Sequence, residues 1–556
     1  MDYDVVIIGS GFGGSVAALR LTEKGYRVLV VEAGARFDDG DFAATSWDLR
    51  RFLFMPRLGL RGIQRMDLLN NVLVLSGAGV GGGSLVYANT LYRPQDDFFA
   101  TGSWAGVTDW KSRLAPYYRQ AEAMLGVVTN PFESPADRVL RKVADVQGFG
   151  DTYRPTPVGV FFGDGPSEAT ADPFFGGVGP ARSGCKNCGE CMTGCRHNAK
   201  NTLVKNYLYL AEQAGAEVRP LTTVTDLRRT ETGWVISAKA TAKGGFSGQI
   251  SGAQVIVAAG ALGSAKLLQR AKATGRLPGI SANLGRLTRT NSESLLGVVA
   301  RTDANDFSSG SAITSSVYPS PDTHIEPVRY GRGSNFMAVM QVLMASGPRG
   351  QAPNPLRLLA TSLANLGRLG KFYNFRKWSE RTLILLVMQA RDNSLTTFWK
   401  RGVLGQRLSS SQGHGEPNPS WVPAGHKFAR EIAREVDGTA GAVVTEAFGI
   451  PLTAHFLGGA TIGESAETGV VDGYLRVFGE PGLHIMDGST LSANPGVNPS
   501  LSITAQAEWA CAHWPNQGEP DPRPALGSRF EVVPAIAPRN PVVPSEAPAA
   551  LHLPLL

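Results

Sequence analysis

The first 32 residues contain the pattern that most restricts the fold of this chain. Residues 5–8 form a short apolar run, typical of a strand that is buried on both faces. Three glycines follow it with the spacing G-x-G-x-x-G: Gly9, Gly11 and Gly14. Residues 16–24 predict a helix, and residues 27–31 predict a second strand that leads to Glu32. This order predicts a βαβ unit that binds a dinucleotide.

Each part of this unit has a physical role in binding. Gly9 permits the tight turn, Gly11 lets a pyrophosphate approach the backbone, and Gly14 lets the helix pack on the strand. The free N–H groups at the helix N-terminus attract phosphate. Glu32 can accept hydrogen bonds from both hydroxyls of a ribose, which suits FAD and NAD equally.

The composition excludes some classes of function. The chain of 556 residues is 43% hydrophobic, and its net charge of +7 includes no long basic block, so we expect no nucleic-acid partner. The N-terminus lacks the regions of a signal peptide, and no apolar run approaches the ~18 residues of a transmembrane helix. We therefore expect a cytoplasmic protein, in which clustered cysteines favour metal or redox chemistry over disulfides.

Four further motifs follow in a fixed order along the chain. Residues 75–90 read LSGAGVGGGSLVYANT, and residues 254–271 read QVIVAAGALGSAKLLQRA. Residues 453–463 read TAHFLGGATIG, and residues 483–508 read LHIMDGSTLSANPGVNPSLSITAQAE. With the βαβ unit, they make the chain resemble the glucose–methanol–choline (GMC) family of FAD-dependent oxidoreductases. Within that family it is most similar to the bacterial cholesterol oxidases of mycobacterial type with non-covalent FAD.

The resemblance implies an α/β fold in two parts. A discontinuous Rossmann-like FAD-binding domain is expected to carry an inserted α+β substrate domain, built on a large, mostly antiparallel sheet. We predict four pieces for the FAD-binding domain: residues 1–45, 70–95, 200–290 and 455–515. The substrate domain is placed at 291–454, with strand-like runs at 335–345 and 381–398. A connecting region at 96–199 and a proline-rich tail at 516–556, either wrapped on the surface or disordered, complete the chain.

The resemblance also implies the residues that hold FAD. No histidine or cysteine precedes Cys185, so we expect the cofactor to be held without a covalent bond. Ser84 and Asn89 are expected near the isoalloxazine, Val224 near the adenine and Asp487 near the ribityl chain. The residues expected at the cofactor, besides the first glycine turn and Glu32, are Gly79, Gly81, Gly83, Ser84, Asn89, Val224, Asp487, Gly488, Asn498 and Pro499.

A flavin that oxidises an alcohol needs a base for the hydroxyl proton and a clear path for the hydride. By resemblance, His455 shares that proton and Asn498 orients the substrate oxygen. Glu326 matches, less closely, a glutamate that moves a proton during a later double-bond isomerisation. The alternative for Glu326 is a surface ion pair with Arg329 or Arg332.

Four cysteines lie within eleven residues, with the spacing C-x₂-C-x₂-C-x₃-C: Cys185, Cys188, Cys191 and Cys195. This is the bacterial ferredoxin run, except that Arg196 stands where proline is usual. The spacing predicts a [4Fe-4S] or [3Fe-4S] cluster, while a zinc site and metal-free thiols stay open as alternatives. Some sugar dehydrogenases of the GMC family resemble this chain in the cysteines, and the secreted cholesterol oxidases differ from it.

Two basic segments with apolar residues, 48–65 and 355–378, are open to two interpretations. Such segments can lie on an anionic membrane surface, or they can form lids and core helices with solvated arginines. Peripheral contact with the inner face of a membrane would suit a sterol substrate, because sterols reside in bilayers. The sequence leaves both interpretations open.

The resemblance implies the oxidation of a secondary alcohol by hydride transfer to flavin N5. The expected substrate is a bulky apolar 3β-hydroxysteroid, which becomes a 3-ketosteroid with Δ5 to Δ4 isomerisation, and O₂ is one expected electron acceptor. One alternative is a dehydrogenase for another lipid-like or sugar alcohol that passes electrons through the iron–sulfur cluster to a protein or quinone. Another is a flavin electron carrier without alcohol chemistry, against which the presence of both His455 and Asn498 counts.

Overall fold

The N-terminal βαβ unit forms as its sequence predicts. The structure is a computed structural model that describes three stretches of the chain: residues 1–346, 352–402 and 405–552. Strand Tyr3–Ile8 leads through the glycine turn into helix Phe12–Glu23 and then into the parallel strand Val28–Val31. The residues from Val5 to Ile8 are buried, which matches a strand covered on both faces.

This unit belongs to a seven-stranded sheet, here called the first sheet. Its strands in spatial order are Glu217–Arg219, Val28–Val31, Tyr3–Ile8, Gly248–Val257, Trp234–Ala240 and Thr222–Arg229, with Leu483–Ile485 parallel to the end of Gly248–Val257. Strands from distant parts of the chain therefore meet in one sheet, as expected for a Rossmann-like domain. The exact domain boundaries stay a prediction.

Helices cover the first sheet and form the largest core with it. Helix Phe12–Glu23 packs against helices Tyr207–Gln213 and Ser500–Ala512, and the latter also packs against Trp110–Met124. The helices of the described residues are Phe12–Glu23, Leu49–Phe52, Asp97–Ala100, Trp110–Met124, Pro135–Gln147, Tyr207–Gln213, Gly260–Ala273, Pro355–Ala364, Leu366–Phe372, Trp378–Arg381, Pro423–Glu435 and Ser500–Ala512.

A second, antiparallel sheet forms the predicted substrate domain. Its strands in spatial order are Gln341–Leu343, Gly438–Val443, Ser294–Ala300, Thr382–Gln389, Thr323–Val328, Ser315–Ser320 and Arg154–Pro155. Helix Pro423–Glu435 covers one face together with helix Pro135–Gln147, which begins with a capping box between Ser134 and Asp137. The large, mostly antiparallel sheet expected from the sequence is confirmed.

Smaller sheets connect the two parts. A four-stranded sheet contains, in spatial order, Gly405–Gln412, Leu395–Gly402, Thr288–Arg289 and Leu457–Gly458, and a three-stranded sheet contains Leu452–Thr453, Leu73–Gly77 and Gln64–Leu68. The remaining strand pairs are Phe54–Met55 with Leu60–Arg61, Val128–Thr129 with Pro157–Val158, and Ala169–Thr170 with Arg182–Ser183. The four-stranded and three-stranded sheets thus bring together segments that are distant in the sequence.

Two local expectations differ from the structure. The apolar run at 335–345 was expected to be a strand, but Phe336–Met340 form a 3₁₀ turn and only Gln341–Leu343 pair as a strand. The run at 381–398 is divided between strands Thr382–Gln389 and Leu395–Gly402, and these strands belong to different sheets. An apolar run therefore predicted burial here more reliably than it predicted one continuous strand.

The proline-rich tail is wrapped on the surface up to residue 552. It forms neither helix nor strand there, yet Val543, Ala547 and Ala549 are buried against the first core. Its backbone is anchored where the N–H of Asn540 donates to the carbonyl of Glu23 at 3.0 Å. Of the two alternatives for this segment, the structure shows the ordered one for the described residues.

Candidate active site

One cavity of about 850 Å³ extends from the N-terminal glycine turn to the second sheet. Gly9, Gly11 and Glu32 line one end of it, and His455 and Asn498 line it further along. The predicted residues that line this cavity are Gly9, Gly11, Glu32, Gly83, Val224, His455, Asp487, Gly488, Asn498 and Pro499. Because residues from both parts of the chain line this cavity, it can hold one ligand that contacts both parts.

The glycines of the first turn divide into packing positions and one open position. A Cβ on Gly13 would lie 1.9 Å from the carbonyl oxygen of Met486, and one on Gly14 would lie 2.2 Å from that of Gly9. A Cβ on Gly11 would have no protein atom within 4 Å. Because Gly11 lines the cavity, the absent side chain leaves space for a ligand at the N-terminus of the helix.

Glu32 is held in place by the two glycine segments. Its Oε2 accepts hydrogen bonds from the backbone N–H and the hydroxyl of Ser10, at 3.1 and 2.8 Å. Its Oε1 accepts hydrogen bonds from the N–H groups of Gly34 and Gly79, at 2.8 and 3.4 Å. Four donors thus fix the carboxylate, and because Glu32 also lines the cavity, a ribose hydroxyl would compete with the longest of these bonds, the one from Gly79.

The second glycine segment presents one of its expected residues, Gly83, to the cavity, but not Gly79, Gly81 or Ser84. Gly82 and Gly83 line it, while Gly79 and Gly81 lie behind them with φ values of 122° and 104°. Ser84 also lies behind the wall, where its hydroxyl donates to the carbonyl of Gly81 at 2.7 Å and accepts from the N–H of Leu203 at 3.0 Å. The structure thus gives Ser84 a loop-stabilising role in place of the expected contact.

The C-terminal motif contributes a buried acid beside the first turn. Asp487 lines the cavity, and its carboxylate accepts hydrogen bonds from the hydroxyls of Ser264 and Ser489. Burial raises the pKa of Asp487, and these hydrogen bonds partly oppose the shift. Gly488 and Pro499 line the same wall.

His455 faces the middle of the cavity with an acid behind it. The Nδ1 atom contacts the carboxylate of Glu293, whose Oε2 accepts a hydrogen bond from the N–H of Ala454 at 2.7 Å. The amide Nδ2 of Asn291 lies 3.4 Å from the same ring nitrogen. In the described part of the chain no hydrogen bond reaches Nε2, so this nitrogen is the one that can exchange a proton with a substrate.

Glu293 is a functional residue that the sequence analysis missed. It carries no motif, but it lies in the run TRTNSES at 288–294, and every one of these seven polar residues is buried. Buried polar groups require partners, so a continuous polar run before the apolar strand Ser294–Ala300 is a signal that could have identified this part of the site.

Asn498 lines the cavity, and behind it lies Glu326, which does not line the cavity itself but forms a second polar pair with Asn498. The Nδ2 of Asn498 donates to Oε2 of Glu326 at 3.3 Å, while Asn498 Oδ1 and Glu326 Oε1 are buried without a hydrogen-bond partner among the described residues. Burial raises the pKa of Glu326 to about 8, against the opposing effect of the Asn498 hydrogen bond. The side chain is therefore poised between its protonated and charged forms near neutral pH.

The alternative of a surface ion pair for Glu326 is wrong. Glu326 lies inside strand Thr323–Val328, not before it, and is fully buried. Arg329 donates instead to the hydroxyls of Ser134 and Thr314, and Arg332 pairs with Asp306. Alternation along the strand places Glu326 and Arg329 on opposite faces, which explains why they do not meet.

Beyond this polar group the cavity becomes an apolar chamber. Residues of the second sheet and of the turn at 336–340 line it, with few polar atoms between them. The lining side chains of this chamber are Ile313, Val328, Tyr330, Met337, Met340, Trp378, Ile384 and Leu386. A bulky apolar ligand would find its surface matched here, with the polar pairs at one end to fix its orientation.

All four clustered cysteines line a second, small cavity. Cys185, Cys188, Cys191 and Cys195 surround it together with Lys200, and Gly310 closes it. Burial raises the pKa of the Cys188 thiol to about 12, and the neighbouring Cys191 adds to the shift. Asn89, expected at the flavin, is instead buried on the side of Cys191, where its amide lowers a thiol pKa that burial raises.

The two cavities are separated by a thin wall. Cys191 lines the small cavity, and the next residue, Met192, lines the large one. The ammonium of Lys200 lies 4.8 Å from the centre of the Tyr87 ring, and Tyr87 also lines the large cavity. The cavity of the cysteines therefore adjoins the candidate active site.

Comparison with known proteins identifies the family. Family models described as GMC oxidoreductase match residues 178–286 and 408–507, and one described as FAD binding domain matches residues 4–47. The chain is 57% identical to the cholesterol oxidase of Mycobacterium tuberculosis (strain H37Rv), over 99% of this chain and 98% of that protein. The chain belongs to the GMC oxidoreductase family. It is an FAD-dependent alcohol oxidoreductase.

Two other similarities support this membership. The cholesterol oxidase of Acinetobacter baumannii is 43% identical over 92% of this chain and 94% of its own. The crystal structure of pyridoxine 4-oxidase from Mesorbium loti aligns with a TM-score of 0.57 at 16% identity, covering 91% of this chain and 98% of that one. This second similarity shows that the fold is shared and nothing beyond it.

The residues present fit FAD on physical grounds. The open position at Gly11, the N-terminus of helix Phe12–Glu23 and the acid Glu32 form a cradle for a diphosphate and a ribose. Val224, the residue expected near the adenine, lines the cavity beside Thr223. None of the described helices combines the length and the apolar character that crossing a bilayer requires.

Proposed function

We propose that this protein oxidises the 3β-hydroxyl of a sterol to a ketone, with O₂ as the electron acceptor. The observation that carries the proposal is a single cavity in which the FAD cradle, the polar pairs at His455 and Asn498, and the apolar chamber follow one another. The chamber suits a rigid apolar ring system. The relatives named cholesterol oxidase support the choice of substrate and acceptor.

FAD, when bound, supplies the hydride acceptor. Nε2 of His455 accepts the hydroxyl proton, while Glu293 holds the opposite side of the ring at Nδ1. The side chain of Asn498 orients the substrate oxygen and keeps one acceptor atom free of protein partners. The walls of the chamber exclude water from the reacting carbon, which strengthens these polar interactions.

We also propose that Glu326 catalyses the isomerisation of the ketone product. Its carboxylate would remove the proton from the carbon between the carbonyl and the double bond, and would return it at the far end of the double bond. This step moves one proton and one double bond without net oxidation. A buried carboxyl with a pKa of about 8 is suited to both halves of the transfer.

The test is anaerobic mixing of the FAD-loaded protein with a dispersed 3β-hydroxysteroid and, as control, with its 3α epimer. We expect the 3β epimer to bleach the flavin absorption and the 3α epimer to do so at least tenfold more slowly. His455→Ala should slow bleaching by about 10²–10⁴-fold, the usual contribution of a positioned base. Equal rates for the two epimers, or no bleaching by the 3β epimer, would overturn the proposal.

We propose further that the four cysteines hold an iron–sulfur cluster. Zinc bonds of ~2.3 Å in a tetrahedron place the sulfurs about 3.8 Å apart. Among the described residues, the donor trio within 4.8 Å is Cys188, Glu190 and His197, so no three of the four thiols approach that closely. Four sulfurs that lie further apart match the wider ligand spacing of a cluster, and the small cavity between them, about 10 Å³, would have to widen as the core enters.

Other groups at this cavity also suit a cluster. The N–H of Asn187 donates to Sγ of Cys185 at 3.4 Å, and Lys200 places a positive charge beside negatively charged ligands. Bound there, a cluster would supply one-electron transfer close to the active site, and the protein would then serve a dehydrogenase role with a protein or quinone acceptor. This function is the second candidate.

Metal analysis of anaerobically purified protein distinguishes the two candidates. A cluster predicts about three or four iron atoms per chain together with an EPR signal in one redox state. Cys191→Ser should abolish both, while Cys511→Ala should leave both unchanged, because Cys511 is buried in helix Ser500–Ala512 far from the cluster residues in sequence. Zinc without iron, or neither metal with full sterol oxidation, would overturn the cluster proposal.

A sterol oxidase must also obtain a substrate that resides in bilayers, so we propose peripheral contact with a membrane. Both basic segments singled out in the sequence contribute to the cavity wall: Arg57, Gln64 and Arg65 belong to the first and Trp378 to the second. Contact without insertion of a spanning helix is the form of membrane association that suits this fold.

A further inference from the structure

Helix Pro355–Ala364 presents leucines to solvent. Leu356, Leu359 and Leu363 are 79%, 58% and 58% exposed, and their spacing puts them on one side of the helix. Leu358 points the other way and packs, with Leu369 of the next helix, against a small core around Phe372. The helix is therefore attached by one face, and an equally apolar face is left without a protein partner in the described residues.

This apolar surface extends onto neighbouring elements. Helix Pro355–Ala364 contacts strand Gln341–Leu343 and the 3₁₀ turn Val444–Phe448. Residues 49–60 pack against the turn Phe336–Met340. The exposed apolar residues of these elements, here called the outer apolar face, are Met55, Leu58, Val339, Leu356, Leu359, Leu363, Leu366 and Phe448.

Elements that carry the outer apolar face also line the large cavity. Arg57 is exposed and lines this cavity, as do the half-buried Met337 and Met340. Val443, immediately before the 3₁₀ turn Val444–Phe448, lines it as well. The segments that present apolar side chains to solvent therefore also form part of the wall of the chamber.

The charges around the face have one sign. Residues 49–66 and 327–379 contain neither aspartate nor glutamate. The cations of these segments that have no ion pair in the described part of the chain include Arg57, Arg61, Arg368, Lys371 and Arg376. Exposed leucines among unpaired cations match a bilayer with anionic headgroups, in which apolar side chains enter the acyl boundary and cations contact phosphates.

We propose that the outer apolar face docks on an anionic lipid bilayer and delivers sterol from it to the chamber. The proposal rests on the sterol oxidation proposed above and adds the surface and the lipid chemistry that it recognises. A second copy of the chain suits this face less well. A two-fold dimer would bring the same cations of both copies together, and like charges at an interface oppose association.

Vesicle co-sedimentation of the FAD-loaded full-length protein tests the proposal. The probes are vesicles of phosphatidylcholine alone and vesicles with about a third phosphatidylglycerol. We expect the anionic vesicles to bind at least tenfold more protein, and added salt to weaken this binding because it screens the cations. Equal binding to both vesicles, or binding to neither, would overturn the proposal.

Two matched variants locate the surface. Leu359→Ser with Leu363→Ser should reduce binding to anionic vesicles at least tenfold, while Val146→Ser with Val178→Ser removes exposed apolar side chains elsewhere and should leave it unchanged. Analytical ultracentrifugation of both variants completes the test. A dimer of the unchanged protein that the leucine variant loses would assign the face to a second copy and overturn the proposal.

The source of the substrate separates this proposal from the proposed function. The leucine variant should oxidise detergent-dispersed sterol at the unchanged rate and vesicle-borne sterol at least tenfold more slowly. If the unchanged protein does not oxidise dispersed sterol, the proposed function is contradicted. Vesicle binding is measured without turnover, so it would still test whether the face docks on a bilayer. Equal rates of the leucine variant and the unchanged protein with vesicle-borne sterol would overturn the delivery role of the face.

Discussion

The carboxylate of Glu293 contacts Nδ1 of His455, and it is itself fixed by the backbone N–H of Ala454, which precedes the histidine. Glu293 has no exposed side-chain surface, while His455 keeps 13% of its side chain exposed on the cavity side. A buried acid therefore holds one nitrogen of the imidazole and leaves the other for the substrate. The same division of roles allows a histidine to act as a base without changing its orientation.

The first prediction concerns this acid. Glu293→Gln keeps the size of the side chain but replaces the carboxylate that contacts Nδ1 of His455 with a neutral amide, so kcat/KM for sterol should fall at least tenfold. Stopped-flow flavin reduction at a series of sterol concentrations measures the loss.

A double-mutant cycle provides the control for Glu293. In the His455→Ala background, Glu293→Gln should cause little further loss, because the acid acts through the ring that is missing. Equal losses in both backgrounds would show that Glu293 only stabilises the fold.

The second prediction concerns Glu326 and the nature of the product. Glu326→Gln can still accept the hydrogen bond from Asn498 but cannot carry the proton, so the variant should release the unconjugated Δ5 ketone. Its rate of flavin reduction should stay within about threefold of that of the unchanged protein. The conjugated Δ4 ketone absorbs in the ultraviolet, and chromatography separates the two ketones. A variant that still yields mainly the Δ4 ketone would contradict the role given to Glu326.

The raised pKa of Glu326 also makes a prediction about stability. Its pKa of about 8 in the fold exceeds its ordinary value of 4.5, so the folded state binds the proton more tightly than the unfolded state does. The free energy of unfolding should therefore fall by about 1.4 kcal/mol per pH unit as pH rises from 4.5 to 8, relative to Glu326→Gln. Denaturant unfolding of both proteins at several pH values measures the difference. Parallel stability curves would place the pKa of Glu326 near its ordinary value.

The fourth prediction separates the binding and packing glycines. Gly11 has a φ of −73°, which any residue adopts, and a Cβ there would meet no protein atom, so Gly11→Ala should fold normally. Its methyl group would occupy the cofactor cradle, so FAD should bind at least tenfold more weakly. Gly13→Ala is the contrasting variant, because its Cβ would collide with Met486 and should destabilise the fold itself. Thermal unfolding with and without added FAD distinguishes the two losses.

The sequence predicted most reliably what is local. The strand predicted at 5–8, the glycine turn and the helix predicted at 16–24 follow from short-range preferences, and all three form, with the helix beginning four residues earlier, at Phe12. His455 and Asn498 were found because they lie in motifs, and the structure places both on one cavity. Their mutual arrangement with FAD stays a prediction.

The sequence did not predict which residues distant along the chain contact each other. Glu293 is distant in sequence from His455, and nothing in its own segment specifies which side chain it contacts. Ser84 was expected at the flavin because it follows a glycine cluster, but a positive φ at Gly79 and Gly81 turns the loop so that Gly82 and Gly83 face the cavity instead. Tertiary packing, which a motif does not contain, decides both cases.

The last prediction concerns the buried ion pair that connects the two ends of the site. Arg20 donates from Nε and Nη2 to the two oxygens of Glu508 at 2.9 Å, and the hydroxyl of Tyr207 donates to the same carboxylate at 2.6 Å. Helix Phe12–Glu23 begins at the cofactor cradle, and helix Ser500–Ala512 begins just after Asn498. The pair therefore fixes the cradle relative to Asn498.

Arg20→Met should leave the acids at Glu508 and Glu23 buried without their cation, at a cost of about 3–5 kcal/mol in the free energy of unfolding. Arg93→Met is the matched control, because it breaks a solvent-exposed pair with Glu122 and should cost less than about 1 kcal/mol. Denaturant unfolding of the FAD-loaded proteins measures both changes. If the two variants cost similar amounts of unfolding free energy, the buried pair of Arg20 and Glu508 stabilises the fold no more than an exposed pair does. This pair would then not hold the cradle in position relative to Asn498.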